Sequence, residues 1–180
     1  MRYVALLRGI NVGGRSKVEM PRLKRVLEGL GFADVSTYIN SGNAIFSTRR
    51  TAAPRLAERI EGALESELGR PIRVLVLPAT ELARIAEALP ADWAQDGDSL
   101  CNVLFLWPEV DRPAVLDELP APNPEVEEVR YVRGAVFHRR DAALASRARA
   151  GRIVGTDLYR SVTSRNANTV RKLHELARRP

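Results

Sequence analysis

The sequence is poor in cysteine, histidine, lysine and aromatic residues, and it has no long apolar run. Cys101 is its one cysteine. That excludes an intrachain disulfide and any zinc site built from cysteines. His138 and His174 are the two histidines, too few and too far apart in sequence for a histidine-rich metal centre. No metal site and no cofactor are therefore expected. No stretch of about 18 apolar residues occurs, so no segment is expected to span a membrane. The opening MRYVALLRG is interrupted by Arg8 too early to read as a signal peptide. These absences together point to a cytoplasmic setting.

What remains is ample for a packed core. The chain has 180 residues, 45% of them hydrophobic, enough for one large domain or two small ones. The net charge is +6 and the pI is about 10.1, which favours phosphate-bearing partners weakly. Basic residues are 25 Arg against 3 Lys, and acidic residues are interspersed throughout. Against that arginine background Lys17 and Lys172 stand out, because each sits beside a polar motif. Lys24 reads as an ordinary helix-surface residue.

The order of elements can be read from periodicity. RYVALL (2 to 7) reads as a buried strand. Pro21 suits the first turn of a helix carrying Leu23, Val26, Leu27 and Leu30, with Gly31 as its stop. DVSTYI (34 to 39) and AIFST (44 to 48) are strands joined by the turn NSGN (40 to 43), hence a hairpin. Pro54 opens a helix with Leu56, Ile60, Leu64 and Leu68 on one face, ended by Gly69. IRVLVL (72 to 77) is a fourth strand. The sum is β-α-β-β-α-β, the ferredoxin-like order. Thr80 can cap a further helix, and ADWAQDGDS (91 to 99) reads as a linker or surface loop.

The order then restarts. NVLFLW (102 to 107) is a strand, 113 to 119 a short helix, and 126 to 132 with 135 to 139 a hairpin around Gly134. Residues 141 to 161 read as helical in parts, broken near Gly151 to Gly155. A short strand follows near 161 to 164, then a terminal helix with Val170, Leu173 and Leu176 at helical spacing. The expected fold is α+β: two ferredoxin-like subdomains with antiparallel sheets, 1–90 and 100–180, and a C-terminal helix.

Chain direction now implies a site. In such a unit the first two strands run the same way, because a helix crosses over between them. The exit of the first strand, RGINVGGRSK, and the hairpin tip, NSGN, therefore fall at one end of one sheet. Arg8 can fork onto a carboxylate or phosphate. Gly13 and Gly14, with Gly9, let backbone amides approach a ligand. Asn11, Asn40 and Asn43 supply donors and acceptors, Ser41 a hydroxyl and Lys17 a mobile charge; Gly42 lies at the tip. The same glycines and asparagines also satisfy any tight turn, because they tolerate positive φ.

A second motif is SVTSRNANTVRKL (161 to 173). Asn166 can cap the last helix, with Thr169 assisting. Arg165, Asn166, Thr169 and Lys172, with Asn168, could line an anion site at that helix start.

Near misses limit the reading. Gly9 to Ser16 spells G-x-x-x-x-G-R-S, but Arg15 replaces the lysine of a P-loop, and Pro21 starts the helix too late. G-x-G-x-x-G is absent from this loop. An aromatic RNA platform would need more than Tyr3, Phe46, Phe105, Trp107, Tyr131 and Phe137, for which core packing is the simpler account. His138 on a strand and His174 on the last helix read as surface residues without a nucleophile beside them. Asp96 and Asp98 read as solvating their loop, and Cys101 as core.

LLRGINVGG, GFADVSTYINSGNAIF and the late TSRNANTVRKL together resemble the bacterial domain-of-unknown-function family 1697. The resemblance implies a small α+β protein of ferredoxin-like subdomains and implies no reaction, cofactor or substrate. A Trp usual after the Arg-Asn pair is Ala167 here, and 144 to 160 departs from the family pattern.

The functional expectation is an anion-binding module. Its ligand would be a nucleotide, a nucleic-acid backbone or a phosphorylated small molecule. The alternatives are an enzyme of unknown reaction in the same pocket and a protein–protein interaction module. The oligomeric state is not readable from the residues.

Overall fold

The computed structural model describes residues 1–11 and 17–178. Gly13 and Gly14, with Arg15 and Ser16 of the P-loop near miss, lie outside the described residues. The chain divides into two compact units, one of residues 1–82 with the chain end from Leu173, the other of residues 83–172.

The first unit is a four-stranded antiparallel sheet. Its strands are β1 (Arg2–Leu7), β2 (Ala33–Tyr38), β3 (Asn43–Ser47) and β4 (Val74–Pro78), in the order β2-β3-β1-β4. Both β1 and β2 pair antiparallel with β3, so they run in the same direction. β1 is apolar from Tyr3 to Leu7 because it is central and buried on both faces. Helices α1 (Met20–Gly29) and α2 (Ala53–Leu68) carry the crossovers. Their apolar stripes, Leu23 and Leu27 on α1 and Leu56, Ile60 and Leu64 on α2, join Tyr3, Ala5, Leu7 and Phe46 in one core. Each such buried side chain contributes about 1.5–3 kcal/mol. Phe32 stacks on Phe46 at 4.4 Å and Phe46 on Tyr3 at 5.7 Å between ring centroids. The Tyr3 hydroxyl donates to the Thr51 carbonyl at 2.7 Å and accepts from its N–H at 3.0 Å. α2 ends where Gly69 turns left-handed, as expected of its glycine.

The second unit repeats the strand order. β5 (Ser99–Leu106), β6 (Glu127–Val132), β7 (Ala135–Asp141) and β8 (Val162–Asn166) form an antiparallel sheet in the order β6-β7-β5-β8. Its crossovers are thinner than expected. The predicted helix at 113 to 119 is a 3-10 helix, Pro113–Glu118, preceded by another, Pro108–Val110. Three prolines in 108–120 explain this, since each removes an N–H that a longer helix would need. Between β7 and β8 only a 3-10 turn, Ala145–Arg147, and one turn of helix, α4 (Asp157–Arg160), form. Val115, Ile153 and Leu158 from these connections pack on Leu104, Leu106, Val136 and Val162 of the sheet.

Helix α3 (Ala79–Ala88) begins before Thr80, which therefore lies inside its first turn instead of capping it. Of the two readings of 91–99, linker or surface loop, residues 91–98 form an irregular loop leading into β5, but one that is not wholly on the surface. Trp93 is buried, and the guanidinium of Arg130 lies 4.6 Å from its ring centre. Arg171, on the terminal helix α5 (Ala167–Arg178), donates to the carbonyls of Trp93 at 3.0 Å and Pro90 at 2.7 Å. Asp96 does more than solvate: its Oδ1 accepts the N–H groups of Asp98 and Ser99. No helix among the described residues is long and apolar enough to cross a membrane.

Candidate functional site

The exit of β1 and the β2–β3 tip meet as chain direction requires. The Leu7 N–H donates to the Gly42 carbonyl at 2.8 Å, and the Arg8 N–H donates to the Arg73 carbonyl at 2.9 Å. Gly42 is the keystone. Its φ is +72°, and a Cβ there would stand 2.6 Å from Ile10 Cδ1 and 2.8 Å from Leu7 Cβ. Only glycine permits both the left-handed turn and this approach. Asn43, opposite Leu6 on β1, is fully buried and donates to the Tyr38 carbonyl at 3.0 Å. It closes the turn from beneath.

Asn11 ties the segment to the tip. Its Oδ1 accepts the Val18 N–H at 2.8 Å, while Nδ2 donates to the carbonyls of Val18 at 3.0 Å and Asn40 at 2.6 Å. Both amide protons are thus committed, and a φ of +54° suits asparagine better than most residues. A cleft of about 560 Å³ opens beside this clamp, lined by Asn11, Asn40, Lys17, Glu19, Met20 and Pro21. It meets the start of α1, whose N-cap Glu19 makes no side-chain cap. Lys17 lies 3.5 Å from the Glu19 carboxylate, both side chains being largely exposed. Such a pair is worth about 0–1 kcal/mol, so either partner exchanges readily for a ligand. Ser41 is exposed at the tip, and Arg8 is half-buried at the strand end.

A cleft of similar size lies at the other end of this sheet, lined in part by Met1, Gly31, Thr48, Arg49 and Arg59. There Arg59 already donates to the Leu30 carbonyl at 2.9 Å and stacks over Phe32 at 5.1 Å.

The C-terminal motif belongs to the second unit. Asn166 caps α5 as expected, its Oδ1 accepting the Thr169 N–H at 2.8 Å. Asn166→Ala should cost about 1 kcal/mol of stability, measured by denaturant midpoint at constant slope. Asn168 is spent on Gln95, donating to its carbonyl at 2.8 Å. Arg165 is buried and bonds Thr163 Oγ1 at 3.1 Å and the Ser164 carbonyl at 2.7 Å. Burial pushes its guanidinium down to about 10. Thr169 is buried and Lys172 half-buried.

Other expectations sort themselves by burial. Phe105, Trp107 and Phe137 are core residues, like Tyr3 and Phe46. Cys101 is buried, and burial pushes its thiol up to about 11, so it stays protonated and unreactive. His138 overturns its reading as a surface residue. It is 3% exposed, and its Nε2 lies 2.7 Å from Glu127 Oε2. The signal was hairpin register: a two-residue turn at Arg133 and Gly134 sets Val129 opposite His138 and Glu127 opposite Arg140.

Residues 1–137 match a family described as "Protein of unknown function (DUF1697)". A conserved bacterial protein, SP0830 from Streptococcus pneumoniae, has a similar structure. The TM-score is 0.81 at 27% identity, over 98% of each chain. No curated protein matches.

Proposed function

This chain belongs to the family of proteins of unknown function DUF1697, and from the geometry of its first sheet we propose that it is an anion-binding module for a nucleotide, a nucleic-acid backbone or a phosphorylated small molecule. The observation that carries the reading is the packing of Gly42 on Leu7 and Ile10. It holds the hairpin tip against the outgoing β1 segment, so that Lys17, Asn40 and the start of α1 border one cleft. A helix start offers N–H groups that no capping side chain occupies. Lys17 offers a charge held, among the described residues, by an exposed ion pair. A rigid sheet fixes the loops that present both.

The test uses calorimetric titration of inorganic phosphate, a nucleoside triphosphate and a short single-stranded RNA. Lys17→Ala should weaken the ligand that binds by about tenfold or more, in keeping with a lost charge-assisted contact. Lys24→Ala should leave it unchanged, because Lys24 pairs with Glu28 on the helix surface at 3.7 Å. For RNA, affinity should fall steeply with salt, and the slope should lessen by about one in Lys17→Ala. Saturable binding that ignores Lys17, or no binding across the panel, would refute the reading.

A further inference from the structure

A second cleft, in the second unit, has a different construction. It measures about 420 Å³ and is lined by His138, Arg140, Ser146, Ala148, Gly151 and Arg152. Its floor is the imidazole of His138, whose far side is fixed. Nε2 faces Glu127 Oε2 at 2.7 Å, with both side chains buried. The Glu127 carboxylate also accepts the N–H groups of Asn123 at 2.7 Å, Arg149 at 2.7 Å and Ala150 at 3.2 Å. Burial alone would raise its pKa, but these amides and the imidazole outweigh that and hold it below the ordinary value. The carboxylate is therefore ionised at neutral pH and accepts a hydrogen bond from Nε2–H. That leaves the lone pair of His138 on Nδ1.

Nδ1 faces the cleft. A Cβ built on Gly151 would stand 3.3 Å from it and 3.1 Å from Cε1, with Arg140 Nη1 at 3.8 Å. Among the described residues Nδ1 has no hydrogen-bond partner, and the Arg140 guanidinium has neither hydrogen bond nor ion pair. Arg152 reaches across to donate to the Ser146 carbonyl at 2.7 Å. The groups around the imidazole are thus Glu127 from β6, Arg140 from its own strand and Arg152 from the segment leading to β8. Asn102, opposite His138 on β5, is uncharged. Burial and then Arg140 depress the imidazole pKa against the pull of Glu127. Two cations beside one buried acceptor suit an anion that still carries a proton. Inorganic phosphate at neutral pH has both anionic oxygens and a P–O–H, whereas a monoester, with its second pKa at about 6, and sulfate have only the oxygens, which a lone pair repels.

We propose that this cleft is a binding site for inorganic phosphate in its monohydrogen form, with Arg140 and Arg152 on its anionic oxygens and His138 Nδ1 accepting a hydrogen bond from its P–O–H. The site lies beyond residues 1–137 that match the family, and it is independent of the loop cleft of the first unit.

The chain has two histidines, so nuclear magnetic resonance of their ring nitrogens reads this site directly, with His174 as internal reference. Inorganic phosphate at pH 7.5 should shift the His138 signals saturably and leave His174 unmoved. Sulfate at matched ionic strength should bind at least tenfold more weakly. Arg140→Gln and Gly151→Ala should each weaken the phosphate response at least tenfold. The first removes a cation; the second places a methyl against Nδ1 without touching Glu127. Lys17→Ala should leave the response intact, which separates this site from the first. A His138 signal indifferent to phosphate, equal responses to phosphate and sulfate, or full retention in either variant would each overturn the proposal.

Discussion

Replacing Glu127 with alanine should lower the free energy of unfolding by about 3–5 kcal/mol. The carboxylate is wholly buried and is the acceptor for three backbone N–H groups and the His138 ring. Removing it leaves four donors without their acceptor, two of them, the Ala150 N–H and the His138 ring, in buried surroundings, and an unmet buried donor costs about 1–3 kcal/mol. The substitution also loosens the segment after Arg149, which the carboxylate holds to β6. Glu127→Gln should cost less, because one side-chain oxygen still accepts while the amide N–H₂ opposes the remaining donors.

The same pair makes the wild type acid-sensitive. The pKa values of Glu127 and His138 are both lower in the folded chain than their ordinary 4.5 and 6.5. The unfolded chain therefore binds more protons as pH falls, and stability declines with it. The His138 contribution is whole above 6.5 and fades below it; the Glu127 contribution is whole above 4.5 and fades below that. Chemical denaturation at several pH values checks both. The gap between wild type and Glu127→Ala should widen as pH falls below 6.5, because the variant lacks the carboxylate that holds the His138 pKa up, and should begin to close below 4.5 as the Glu127 contribution fades. A gap that keeps growing as pH falls well below 4.5 would contradict an ionised, amide-bound carboxylate.

Gly42→Val should destabilise by about 2–5 kcal/mol, with a thermal midpoint lower by about 5–15 °C. Two costs add. A β-branched residue at a φ of +72° meets its own backbone, at about 1–2 kcal/mol. Its Cβ would also lie 2.6 Å from Ile10 Cδ1 and 2.8 Å from Leu7 Cβ, and Leu7 Cβ is anchored to a central strand. Overpacking of that kind costs about 1–3 kcal/mol. The tip must lift away, and the Leu7 N–H to Gly42 carbonyl bond at 2.8 Å lengthens with it. Amide exchange at Leu7 should accelerate relative to Val4, which lies deeper in the same strand. Unchanged protection at Leu7 would mean that the tip does not depend on this contact.

These two residues show different degrees of legibility. Gly42 could be picked out beforehand: NSGN between two strand patterns is turn chemistry, and strand direction carries the turn to the exit of β1. Asn11 was visible as a polar residue in that region, but its use as a clamp on Val18 and Asn40 depends on a tertiary contact no spacing announces. Trp93 sits in a stretch whose composition reads as linker, yet Arg130 and Arg171 pin it from strands and helix far along the chain. Glu127 and His138 share a hairpin, so their adjacency follows from register. Their burial does not. It comes from residues 142–160, which carry little regular structure and hence no periodicity to read.

By itself the sequence determined the order of elements, the direction of each strand and therefore which loops share an end of each sheet. Those properties follow from local pattern and from steric rules that hold for any chain: alternation, helical spacing, glycine at positive φ, and the handedness of crossovers. Tertiary structure alone decided which polar groups would be spent on holding the fold and which would be left facing a cleft. Whether Asn43 closes a turn or meets a ligand, and whether His138 is wetted or sealed over a carboxylate, turns on desolvation and on partners distant along the chain. Such contacts leave no repeating trace in the order of residues.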